Sequence, residues 1–158
     1  MIDYISDDIV RVQAELIVNA ANAQGYMGGW IGKYLHLKGV AESIHYVDPS
    51  IEKQTKHICK TQDLNPGDIF HTNAGILPFS KGIIHAITMN KPGQRSSIDV
   101  IEKCLQNIAI YCQENKINTV AIPLLGCGTG RLPKDDVYSL YEKYLSPQEI
   151  VYLVVNKQ

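Results

Sequence analysis

The chain has 158 residues, 45% of them hydrophobic and 20% charged, with a formal net charge of −1. That balance suits a soluble globular chain, excludes a disordered or collagen-like one, and leaves no electrostatic footprint for general duplex DNA binding. One domain spanning 1–158 is expected, long enough to bury about 70% of the surface its unfolded chain exposes.

No apolar run approaches the length of a membrane span, and Met1-Ile2-Asp3-Tyr4 lacks the basic-then-apolar pattern of a secretory leader. Cys59, Cys104, Cys112 and Cys127 show neither Cys-x-x-Cys spacing nor a zinc-type histidine arrangement. Free thiols, no metal, no cofactor and a monomer in the cytoplasm are expected.

Ile2 to Ile5 alternates as a first strand, broken by Ser6-Asp7-Asp8. Leu16 to Val18 is an apolar run suited to a strand covered on both faces, ending at Asn19. Lys33 to Val47 reads as a helix, and Asp48, with Pro49 at the first helical position, caps a second over Ile51 to Lys60. Asn65-Pro66-Gly67 is a turn, followed by strands at Asp68 to Thr72 and Gly82 to Thr88. Ser97 caps a helix whose Ile98, Ile101, Leu105, Ile108 and Cys112 fall on one face, so Cys104 and Cys112 read as core. A strand at Thr119 to Leu124, a helix at Lys134 to Leu145 and a strand at Ile150 to Val155 complete an α/β order: a three-layer α/β/α sandwich around a mixed sheet of about six strands.

Two stretches carry chemistry. Asn19-Ala20-Ala21-Asn22 leads into Gly25, Gly28, Gly29 and Gly32, placing amides able to grip hydroxyls beside glycines whose backbone N–H groups can face an anion at a helix start. Leu125-Gly126-Cys127-Gly128-Thr129-Gly130-Arg131 likewise follows an apolar run and precedes a helix. Ligands of open α/β sheets sit beyond the carboxyl ends of the strands, so the two loops are placed to clasp one diphosphate. His85, flanked by strand residues, reads as a hydrogen-bonded structural group, and Tyr138, Tyr141 and Tyr144 read as packing.

The paired motifs VNAAN and IPLLGCGTGRLP resemble those of the macrodomains, which bind ADP-ribose, and the resemblance covers nearly the whole chain. It implies an ADP-ribose site built from Asp8 and Ile9 at the adenine, Asn19, Ala21, Asn22, Gly28, Gly29, Trp30 and Ile31 from the first loop, and Leu125, Gly126, Cys127, Gly128, Thr129, Gly130 and Arg131 from the second. Ile31 stands where one hydrolytic branch has an aspartate. The chain looks more like the branch that contains terminal ADP-ribose protein glycohydrolase and the DNA ADP-ribosyl glycohydrolase antitoxins, whose catalytic lysine matches Lys91. Gly130 departs from the acid of the protein glycohydrolase and resembles the antitoxins. Lys91 and Asn22 are thus the implied catalytic residues. Two function classes stand: hydrolysis of an ADP-ribosyl linkage to protein, nucleobase or a small ester, and recognition of ADP-ribose, free or on a modified protein or nucleic acid, without turnover.

Overall fold

The computed structural model describes residues 1–32, 34–35 and 38–156, with Trp30 described by its backbone only. Six strands, β1 (Ile2–Ile5), β2 (Leu16–Asn22), β3 (Ile69–Thr72), β4 (Ile83–Met89), β5 (Thr119–Pro123) and β6 (Val151–Val155), form one sheet in the order β1-β6-β5-β2-β4-β3. Every pairing is parallel except the antiparallel β3–β4, so the sheet is mixed. The helices are α1 (Gly29–Gly32), α2 (Val40–Val47), α3 (Ser50–Thr61), α4 (Ile98–Glu114) and α5 (Lys134–Tyr144), and a 3-10 turn covers Ile9–Arg11.

Alternation along the strands builds the layers. Leu16, Val18, Ile84 and Val120 join a core with Ile101, Leu105 and Ile108 of α4 and Val137 and Tyr141 of α5. Ile17, Ile83 and Ala121 point the other way, to a core with Ala41 and Ile44 of α2 and Ile51 of α3. The sandwich expected from the sequence is the observed one. Cys104 and Cys112 are core residues, and burial pushes each thiol up to about 12. No helix among the described residues is long and apolar enough to cross a membrane.

Two boundaries differ from expectation. β2 does not stop at Asn19 but runs to Asn22, because Asn19 and Ala20 stay in register with His85 and Ala86 of β4 and the Asn19 Nδ2 finds a partner inside the sheet. A register shift between Ala21 and Asn22 then ends the pairing, as an irregularity does where a strand re-aims a side chain. The long helix read over Lys33 to Val47 is also corrected. Tyr34, Leu35, Lys38 and Gly39 are non-helical, and α2 starts only at Val40, because Gly39 at φ +122° holds a backbone that no helix interior adopts. The Lys33 and Leu37 positions of that reading lie outside the described residues. Asp48 does the capping expected of it, Oδ1 accepting from Ser50 N at 3.0 Å.

Candidate functional site

The carboxyl ends of the five parallel strands open on one cleft made of two cavities. One, of ≈ 450 Å³, is lined by Asp7, Asp8, Ile9, Val155 and Asn156, among others. The other, of ≈ 230 Å³, is lined by Ala21, Asn22, Tyr26, Glu42, Met89 and Gly130, among others. Lys38, Gly39, Val40, Pro123, Leu124 and Gly128 line both, so the cavities are two ends of one elongated groove with a waist. Asp8 caps the 3-10 turn beneath the first end, its Oδ1 accepting from Val10 N at 3.3 Å.

The loop after β2 is organised from below. Asn22 Oδ1 accepts from Gln24 N (3.1 Å) and Tyr26 N (3.2 Å), while Asn22 Nδ2 donates to Tyr26 O (2.8 Å), so this amide folds the turn that follows it. Glu52 of α3 reaches under the glycines, its Oε2 accepting from Met27 N (2.6 Å) and Gly29 N (3.0 Å) and its Oε1 pairing with Lys56 Nζ (2.9 Å). Burial works to raise the Glu52 carboxyl, but the hydrogen bonds from Gly29 N–H, Lys56 and Met27 N–H outweigh it and hold the group below the usual carboxylate range. His45 of α2, fully buried, places Nε2 2.7 Å from Gly29 O. Gly25, at φ +72°, packs so closely on α3 that a Cβ would stand 2.6 Å from the Thr55 carbonyl carbon. The expectation that the N–H groups of this loop face a bound anion is therefore corrected at Gly29: its N–H, with that of Met27, already serves an internal carboxylate.

The loop after β5 is anchored differently. The buried Tyr141 hydroxyl of α5 donates to Pro123 O and accepts from Leu125 N (3.0 Å), fixing both sides of the strand end. Ser96 N donates to Gly130 O (3.0 Å), tying the loop to the segment before α4. Gly126, at φ +78°, packs on Leu132 and on Ile101 of α4, while Gly130 packs on the loop itself, where a Cβ would lie 2.6 Å from Gly126 O, so an acidic side chain at that position has no place in this conformation. Gly128 is the exception, with nothing within 4 Å of a would-be Cβ.

Of the residues expected at the site, Asp8, Ile9, Ala21, Asn22, Gly126, Cys127, Gly128, Thr129 and Gly130 line the cleft. Asn19 does not. It is fully buried, its Nδ2 donating to His85 Nδ1 (3.0 Å), and His85 Nε2 in turn meets Thr72 Oγ1 (2.9 Å). Burial drives His85 down to about 3, so its imidazole is neutral and structural. Leu125 is fully buried and lines neither cavity, its N–H donating to the Tyr141 hydroxyl. Gly28 and Gly29 pack toward His45 and Tyr26 respectively, Ile31 is 57% exposed on α1, and Arg131 is exposed at φ +60°. The side chain of Trp30 lies outside the described residues. Lys91 is exposed in the turn after β4, where its N–H donates to Gln94 Oε1 (3.0 Å), and its neighbours Pro92 and Gly93 line the second cavity.

Sequence reasoning missed Lys38, Glu42, Glu52 and Tyr141. Burial, the largest influence on Glu42, raises its carboxyl above the usual range against the pull of its own backbone N–H and of His45. Glu42 and Lys38 were hidden by the helix read through them, while Glu52 and Tyr141 carried no local signal at all. Among the described residues no group of three His, Cys, Asp or Glu side chains is arranged to hold a metal.

The sequence model of the Macro domain family matches residues 18–141. The chain is 31% identical over 137 residues to the DNA ADP-ribosyl glycohydrolase of Mycobacterium tuberculosis, covering 87% of this chain and 36% of that protein. It is 27% identical to the O-acetyl-ADP-ribose deacetylase of Enterobacter cloacae, covering 99% of this chain and 88% of the other. The macrodomain of Thermus aquaticus DarG superposes with a TM-score of 0.84 at 24% identity, covering 99% of this chain and 98% of that one, which establishes the likeness of fold.

Proposed function

This chain belongs to the macrodomain family, and from that premise we propose that its cleft binds ADP-ribose, with the adenine at Asp8 and Ile9, the diphosphate at the waist beside Gly128, and the distal ribose in the cavity of Asn22, Tyr26 and Glu42. The observation that carries the reading is the shape of the groove: two cavities of unequal size joined at a waist, beyond the carboxyl ends of parallel strands, match a nucleoside and a second sugar joined by two phosphates. Pro123 and Leu124 supply apolar wall, while Asp8 offers a carboxylate to the exocyclic amine of the base. Titration calorimetry tests it. Micromolar binding of ADP-ribose is the expected result, with AMP weaker for lack of the distal ribose, and no heat at millimolar ADP-ribose from folded protein would overturn the reading.

Turnover is the further part of the proposal. Lys91, beside the wall formed by Pro92 and Gly93, attacks the anomeric carbon of the distal ribose as a neutral amine. The bond to the modified group breaks, that group departs with a proton, and the opened sugar is held as an imine. Water then cleaves the imine, returning the lysine and releasing ADP-ribose. Glu42, a carboxyl in the same cavity with its proton affinity raised by burial, is suited to hold and return the travelling proton. The substrate of this step is an ADP-ribosyl group joined through its anomeric carbon to a nucleobase or a protein side chain, handled by a cytoplasmic monomer. A small ADP-ribose ester is cleaved instead by water at its acyl carbon, without attack by Lys91. Lys91→Ala is expected to keep ADP-ribose affinity and lose release of ADP-ribose from a modified substrate. The competing reading, a binding module without turnover, is favoured by the exposure of Lys91, and it wins if the parent releases nothing from ADP-ribosylated DNA, protein and acetyl ester alike.

A further inference from the structure

Lys38 lines both cavities, which puts it at the waist of the cleft, on the non-helical segment that ends at Gly39. Among the described residues its ammonium has no ion-pair partner, although the chain forms such pairs at Lys56, Lys103 and Lys143. The other lysine of the groove, Lys134, lines only the first cavity, where its Nζ donates to Asn156 Oδ1 at 3.4 Å. Glu42 lines the second cavity, Asp7 and Asp8 line the first, and Glu52, held ionised by its partners, lies beneath the glycine loop. The N–H groups of Met27 and Gly29 are already spent on that carboxylate. A ligand with two phosphates at the waist would thus meet the second glycine loop and several carboxylates, and among the described residues Lys38 is the lysine that lines both cavities.

We propose that Lys38 is the diphosphate-binding residue of this cleft, its Nζ pairing with the phosphate oxygens of a nucleoside diphosphate sugar and setting the preference for such ligands over nucleosides. The inference rests on the reading of the groove as an ADP-ribose site and adds to it a side chain that makes affinity depend on charge. An ammonium on a flexible stem suits this task, because it follows either phosphate as the ligand settles and is strongly attracted to both in a partly enclosed groove. Screening by salt then weakens the ligand with two phosphates and spares the uncharged one.

The test titrates the parent, Lys38→Gln and Lys38→Arg with ADP-ribose and with adenosine, each at low and high ionic strength. Lys38→Gln is expected to weaken ADP-ribose about tenfold at low salt, to flatten its salt dependence and to leave adenosine unchanged, while Lys38→Arg keeps most of the affinity. Because Lys38 is exposed, all three proteins should melt together, which keeps the comparison free of folding effects. If Lys38→Gln binds ADP-ribose with the affinity and salt slope of the parent, the role of Lys38 is overturned while the ADP-ribose reading stands. A parent that binds no ADP-ribose overturns both.

Discussion

The loop after β2 is closed from beneath by the Glu52 carboxylate, the His45 ring and the backbone of α3, whereas the loop after β5 is pinned at its base by Tyr141 and keeps an open tip at Gly128. Their glycine-rich sequences look alike, yet the glycines do different work. Gly25 lets the chain pass against α3, and Gly128 leaves room for whatever enters the cleft. A glycine loop is therefore an anion site only where its N–H groups are not already taken by the protein.

The largest expected effect of breaking this contrast is Glu52→Ala. Removing a buried carboxylate that accepts from two backbone N–H groups should cost about 3 kcal/mol by urea unfolding at pH 7, and a loss under about 1 kcal/mol would show that the loop holds itself. The pH dependence has a definite sign. The folded-state carboxyl is held below its unfolded value of about 4.3, so its contribution is present above that pH and disappears as pH falls through the folded value. Parent and variant should accordingly converge in stability on acidification below about pH 4.

A matched pair of glycine substitutions comes next. Gly25→Ala should destabilise by about 2 kcal/mol, since it faces both a positive φ and the Thr55 backbone, while Gly128→Ala should stay within about 0.5 kcal/mol of the parent. Gly128→Val should weaken ADP-ribose with the melting temperature held. Gly29 does not belong with it, because φ +60° and a would-be Cβ at 3.1 Å from Tyr26 make substitution there a matter of folding as well. Equal melting temperatures for Gly25→Ala and Gly128→Ala would erase the distinction between the loops.

Tyr141→Phe sharpens the account of the second loop. It removes the hydroxyl shared by Pro123 O and Leu125 N, and about 1 kcal/mol of stability should go with it, together with faster dissociation of ADP-ribose in stopped-flow traces. The smallest effect is expected of Cys127→Ser. Burial raises the Cys127 thiol, with Lys134 pulling the other way, so it is a poor nucleophile and the serine variant should keep affinity and turnover within about twofold. A variant that binds but has lost all turnover would require a covalent role for the thiol.

Much of the fold was legible because its signals are local. Apolar runs at Leu16–Val18 and Val120–Ile122, and a β-branched stretch at Ile83–Ile87 interrupted by His85, mark buried strands, and the face of Ile101, Leu105 and Ile108 marks α4 before any packing is known. The long helix over Lys33 to Val47 was misread because helical spacing ran through Gly39, whose positive φ leaves no trace in an apolar pattern. That one misreading concealed two charged side chains of the cleft, Lys38 and Glu42. Asn19 was read with Asn22 as a ligand residue because the two share a chemistry, and only the pairing of β2 with β4 sends the first amide to His85 and leaves the second at the rim.

By itself the sequence determined the α/β order, the two glycine loops at strand ends and the family resemblance, because each is written in residues that are neighbours along the chain. Only the tertiary structure decided which N–H groups remain for a ligand. Glu52 reaches Met27 and Gly29 across 25 and 23 residues, Tyr141 reaches Leu125 across 16, and Asn19 meets His85 across 66. A backbone donor buried in a loop must be satisfied by something, and the partner that satisfies it is chosen by how helices dock on the sheet, over distances at which sequence spacing carries no information.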